Sequence, residues 1–200
     1  MPEAPGALQS IVNKLLAHEP ELYPTEEWDE LLDIKIARIA FADVSAAQRP
    51  FLMAVKAGLH LWNDSLDASH TLSQELHSKE GSYWHGMMHR MEGDYSNAKY
   101  WFHQVGSHPN FSRLFSKLRE RQETAIGTVG HDGLRAKLEQ LLTADSWNPY
   151  LFIDIVELQV TTAHDTAAES VLKRIQSLEL KLLLQSCSEQ AGGGISLEFS

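Results

Sequence analysis

The sequence predicts an all-α fold of antiparallel helical hairpins, with about eight to nine helices. Three observations carry this. Apolar residues recur at spacings of three and four along almost the whole chain, the period of one helix face. The alternation expected of a half-buried strand is confined to Ile195, Leu197 and Phe199. Short polar turns such as Asn63-Asp64 and Gly93-Asp94 divide the periodic segments.

Leu8, Ile11, Val12, Leu15 and Leu16 form the stripe of a first helix that stops near Pro20. A second helix opens at Pro24-Thr25. Thr25 is its predicted N-cap, Glu26, Glu27 and Asp29 suit the positive end of the dipole, and Trp28, Leu31, Leu32, Ile36, Ile39 and Ala40 form its stripe. A third runs from Pro50 to Trp62, and Asn63-Asp64 breaks it. A fourth spans 66–77, and Gly81 separates it from a fifth over 82–92. Gly93 suits a left-handed C-cap, and Ser96 caps a sixth helix over 96–105, which Gly106-Ser107-His108-Pro109 ends. A seventh covers 111–123, and 127–133 reads as a flexible loop. Short helices follow over 134–142 and 150–160, the latter capped by Trp147-Asn148-Pro149, and a long one over 166–185. Residues 1–190 form a single helical domain, and 191–200, with Gly192-Gly193-Gly194, read as a loose C-terminal tail.

Composition excludes several classes of function. The 200 residues are 43% hydrophobic and carry a formal charge of -10, from 27 acidic against 17 basic residues. Phosphate contacts need clustered Lys and Arg, so no nucleic-acid partner is expected. The one basic run, Arg113, Lys117, Arg119 and Arg121, is interrupted by Glu120 and reads as a solvated face. No apolar run approaches the roughly 18 residues of a membrane span, and the N-terminus lacks the pattern of a signal peptide. A cytoplasmic protein without a membrane partner is the expectation. Cys187 is the only cysteine, so no intrachain disulfide can form. The stripe Leu178, Leu180, Leu182, Leu183 and Leu184 is apolar nearly all round. It suits either a homodimer face or burial within the chain.

Chemistry concentrates between Tyr83 and His103. Seven of the ten histidines fall between His60 and His108. His85 and His89 stand four apart, so they share one helix face, and Glu92 lies one turn on. An i, i+4 histidine pair with a carboxylate is a usual helical way to hold a divalent metal ion, the one cofactor this set suggests. His70, Gln74 and His77 repeat the idea on the preceding helix, and His103 enters from the next. The pair also fits two other readings: rings packed in the core and satisfied by Glu92, Asp94 or backbone, or a metal-free acid–base or binding pocket. Trp84, Arg90, Tyr100, Trp101 and His103 are the candidate ligand-binding residues. The tryptophans offer a wall for a planar or apolar ligand, and Arg90 offers either a cation for an anionic ligand or an ion pair with Asp94, Glu80 or Asp67. No nucleophile elbow, phosphate loop or dinucleotide fingerprint occurs.

Two resemblances bear on this stretch. Gly86, Gly93-Asp94-Tyr95, Ala98, Phe102 and Pro109 resemble a tetratricopeptide helix–turn–helix unit over about 30 residues, with a poorer copy 30 positions earlier, where Asn63-Asp64 falls on Gly93-Asp94 and Ala68 on Ala98. This implies either a tetratricopeptide-like array or an irregular bundle. The string Tyr-Trp-His-Gly-x-Met-His-Arg-x-Glu-Gly-Asp-Tyr-x-Asn-Ala-Lys-Tyr-Trp-Phe, Tyr83 to Phe102, followed by His108-Pro109, resembles the signature of an uncharacterised, mostly bacterial family of small helical proteins. That implies a shared fold and site but no reaction. Two functions remain: a small helical binding or scaffold protein with a His/aromatic pocket around residues 83–103, its ligand a small molecule or a protein, or a metal-dependent enzyme built on His85 and His89.

Overall fold

The computed structural model describes residues 4–41, 44–120 and 124–197. Among these there are ten α-helices and no strand: α1 (Ala4–Leu15), α2 (Glu30–Ala37), α3 (Arg49–Trp62), α4 (Leu66–Ser73), α5 (Lys79–Glu92), α6 (Tyr95–Val105), α7 (Pro109–Glu120), α8 (Asp132–Thr143), α9 (Pro149–Leu158) and α10 (Thr166–Gln190). The all-α prediction holds, with ten helices in place of eight or nine. A 3-10 turn at Thr124–Thr128 precedes α8, and a π-helical turn at Gln159–Ala163 extends α9.

The helices pack as successive hairpins closed by a long partner. α3 packs on α4, α4 on α5, and α5 most extensively on α6, while α10 lies against α3 and α7 and α9 against α6. α10 is buried along most of its length, and Leu178, Leu180, Leu182, Leu183 and Leu184 are all inside the core. That stripe is therefore covered within the chain and leaves no apolar face there for a second copy. Cys187 is buried on the same helix, and burial pushes its thiol up.

Several boundaries differ from the expected ones, each for a local reason. The second helix starts at Glu30 rather than near Thr25. The Asp29 carboxylate accepts from the Leu32 amide at 2.7 Å and pairs with Lys14, while the Trp28 amide is spent on the Asn63 carbonyl at 2.9 Å. Trp28 thus precedes the helix and stacks on His18, and Leu31 is 69% exposed. Gly81 does not separate two helices, because α5 begins at Lys79 with Ser78 as its cap, whose hydroxyl accepts from the Gly81 amide at 3.1 Å. Gly93 is left-handed as expected (φ 87°), but Asp94, not Ser96, caps α6 through the Asn97 amide at 3.0 Å. Part of the expected 127–133 loop is ordered: His131 caps α8, its ring nitrogen accepting from the Leu134 amide. Of the C-terminal tail, residues 191–197 are described. Ile195 and Leu197 are buried, and the Ser196 amide donates to Gln9 at 2.9 Å; Phe199 lies outside the described residues. The basic run behaves as a solvated face: Arg113 pairs with Glu189, Lys117 with Glu120, and Arg119 lies over Phe115, while Arg121 lies outside the described residues.

The first turn of α5 gives a pH prediction. His108 accepts from the Asn110 amide through Nδ1, so its Nε2 carries the proton and faces the Glu80 carboxylate at 3.8 Å. The contact with His108 holds Glu80 down to about 2. A carboxylate depressed in the native state stabilises fully above its unfolded value near 4.5 and loses that contribution as pH falls toward 2. Wild type is expected to exceed Glu80→Gln in stability above pH 4.5 and to converge on it near pH 2. Urea midpoints measured across that range check this.

Candidate functional site

α4, α5 and α6 bring three imidazoles under one tryptophan. His85 and His89 project from successive turns of α5, and both are buried. Their ring planes lie 21° apart with centroids separated by 4.7 Å. His70, from α4, sets its ring nearly perpendicular to both, at 4.8 Å from His85 and 5.6 Å from His89. From α6, the indole of Trp101 lies flat on His85, with centroids 3.9 Å apart and planes 14° apart. Asn97, one turn earlier on α6, brings its side-chain amide to His89.

The close approach of α5 and α6 has a sequence cause. A Cβ on Gly86 would sit 2.9 Å from the Phe102 ring and 3.4 Å from the Cβ of Trp101. Only a glycine on α5 lets α6 come near enough to lay Trp101 on His85.

The hydrogen bonds fix part of the chemistry. His89 Nδ1 is bonded to the Glu92 carboxylate, so that nitrogen carries the proton and Nε2 keeps its lone pair. The Asn97 amide nitrogen lies 3.0 Å from Nε2 and 3.4 Å from Nδ1 of the same ring. The two ring nitrogens are only about 2 Å apart, so a point nearly equidistant from both at this range sits over the ring face, not along either in-plane lone pair. Asn97 therefore leaves the Nε2 lone pair uncommitted. His85 Nδ1 is buried and has no hydrogen-bond partner among the described residues. Burial, with His89 and His70 adding to it, pushes His85 down to about 4, so its ring is neutral at pH 7.

Of the residues singled out in the sequence, His85, His89 and Trp101 meet at this cluster. Glu92 reaches it through His89 Nδ1, behind the ring, while the third imidazole comes from His70. His77, the other histidine considered on that segment, is exposed beyond the end of α4. Tyr100 is 56% exposed and meets Trp101 edge-on at 5.5 Å; His103 is exposed. His89, Glu92 and Asp94 form a second group of close donors, but the Asp94 carboxylate is occupied in capping α6.

Trp84 and Arg90 belong to the core. Trp84 is fully buried, with its ring against Gly58. Arg90 is fully enclosed and pairs with Glu179 of α10 at 2.7 Å, with Gln176 taking its Nε at 3.2 Å and Phe152 beneath the guanidinium at 4.6 Å. The Tyr83 hydroxyl donates to the other Glu179 oxygen at 2.9 Å. Arg90 is thus an internal counter-ion, and none of Asp94, Glu80 and Asp67 is its partner. Glu179 is the important residue that sequence reading missed, since a carboxylate 89 positions away carries no local signal.

Among the described residues no helix is long and apolar enough to cross a membrane. Comparison of the chain with protein-family models, with curated proteins and with solved structures finds no match.

Proposed function

We propose that this chain is a small helical binding protein whose ligand site is the imidazole cluster of α4 and α5 beneath Trp101. One observation carries the reading: imidazoles from two helices bring three ring nitrogens within 4.8 Å of one another, and His85 Nδ1 there is one of several buried polar atoms without a partner among the described residues. A buried polar atom without a partner costs about 1–3 kcal/mol, and a core at this position would gain from leucine. Natural sequences keep such locally unfavourable groups where function needs them. The half-buried Trp101 and the exposed Tyr100 give the cluster an outer aromatic rim.

A stability measurement tests this. His85→Leu removes the unpartnered nitrogen at similar volume and forfeits the stack on Trp101, worth about 0.5–1.5 kcal/mol. In protein stripped with a chelator, the net expectation is a gain of about 1 kcal/mol, or a Tm rise of about 2–4 °C for a chain of this size. A Tm several degrees below wild type would mean that the ring belongs to the core and would overturn the reading. A metal-dependent enzyme would draw on the same three rings and would need, in addition, an open coordination position facing a substrate.

A further inference from the structure

We infer that the ligand is a divalent transition-metal ion, held by one ring nitrogen from each of His70, His85 and His89. The inference rests on the binding reading above and names the class of ligand.

The three donor atoms already lie within 4.8 Å of one another. A tetrahedral ion with bonds of about 2.0–2.1 Å sets its nitrogens about 3.4 Å apart. Closing that difference takes roughly 1 Å at the nitrogens, and the near-parallel planes of His85 and His89, 21° apart, must also turn about their side-chain torsions until both in-plane lone pairs meet at the ion. Two helices supply the set: α5 gives the i, i+4 pair, and α4 gives the third ring from across the hairpin. A metal ion would take up the buried, unpartnered nitrogen of His85.

Glu92 completes the pattern from behind. Its bond to His89 Nδ1 fixes the tautomer, leaves the other nitrogen as the donor and raises its basicity. That is the usual role of a carboxylate behind a metal-binding histidine. The sequence pairs Glu92 with the two histidines as a third ligand; the structure makes it a positioning residue, with His70 in its place. Asn97 covers the face of His89 without occupying its in-plane lone pair. Three imidazole nitrogens favour zinc, cobalt, nickel or copper over magnesium or calcium, which prefer oxygen. Three protein ligands leave a fourth position to water.

The test uses the full chain, stripped with a chelator and titrated with zinc by calorimetry and with cobalt by visible absorption. The expected result is one ion per chain, with the absorption of four-coordinate cobalt. His70→Gln and His89→Gln are expected to abolish it. Glu92→Gln is expected to weaken binding about 10–100-fold, and the exposed His77→Gln is expected to bind as wild type. Absence of one-to-one binding in wild type, or unchanged binding in His70→Gln, overturns the assignment. Far-ultraviolet circular dichroism of each variant shows that a loss of metal is not a loss of fold. A wild type that binds neither ion, beside a His85→Leu variant of raised Tm, overturns the metal and leaves the binding site standing. A wild type that binds neither ion, beside a His85→Leu variant of lowered Tm in the stripped protein, overturns both.

Discussion

Replacing Arg90 with methionine is expected to cost about 3–5 kcal/mol, because it leaves the Glu179 carboxylate buried without its counter-charge. At about 2–4 °C per kcal/mol for a chain of this size, Tm should fall by about 10 °C or more. Tyr83 still reaches the Glu179 carboxylate, but a hydrogen bond from a neutral group does not replace a cation in contact. The methionine keeps most of the packing over Phe152 and Phe102, so the loss reports the charge and not a cavity. The double replacement Arg90→Met/Glu179→Leu is expected to recover most of the stability, since two apolar groups in place of a buried pair are often neutral or better. A denaturant-based double-mutant cycle measures this. A single variant within about 1 kcal/mol of wild type would mean that solvent reaches the pair.

Gly81→Ala is the second large effect. An added Cβ would lie 2.3 Å from the Leu76 carbonyl oxygen and 2.4 Å from the Leu76 Cβ. The first of these is backbone, so the chain joining α4 to α5 would have to move. Overpacking costs about 1–3 kcal/mol, sometimes more, and this contact belongs at the upper end. The better helix propensity of alanine returns about 1 kcal/mol. The expected net loss is about 2 kcal/mol. Gly6→Ala in α1 serves as the opposite case, because nothing lies within 4 Å of its added Cβ. There only the propensity gain remains and the variant should be more stable. Thermal unfolding of both variants checks the contrast in sign.

Local signals in the sequence describe local structure well and contacts across the chain poorly. Helix α3 ends at Trp62 and α5 at Glu92 as the polar turns predict, and Gly93 takes the left-handed conformation that only glycine adopts freely. The cap of α2 was misread because two carboxylates and a threonine precede Asp29, and any of them suits a helix start. The choice falls on Asp29 through Lys14 and Asn63, residues of other elements. Gly81 looked like a separator because glycine has two uses, breaking a helix and admitting a close neighbour. Its buried contact with Leu76 identifies the second. At the candidate site, the i, i+4 pair and its aromatic neighbour were legible in the spacing. The entry of His70 depends on how the α4–α5 hairpin folds over, and the partnership of Arg90 with Glu179 depends on α10 reaching α5. Neither leaves a mark in its own segment.

That last dependence bears on synthesis. The ribosome delivers α5 well before α10, so the guanidinium of Arg90 has no carboxylate to meet while the first half of the chain is already outside. Enclosing it early would strand a charge in apolar surroundings. The hairpins that build the imidazole cluster are thus expected to gain their final packing only after residue 179 has emerged.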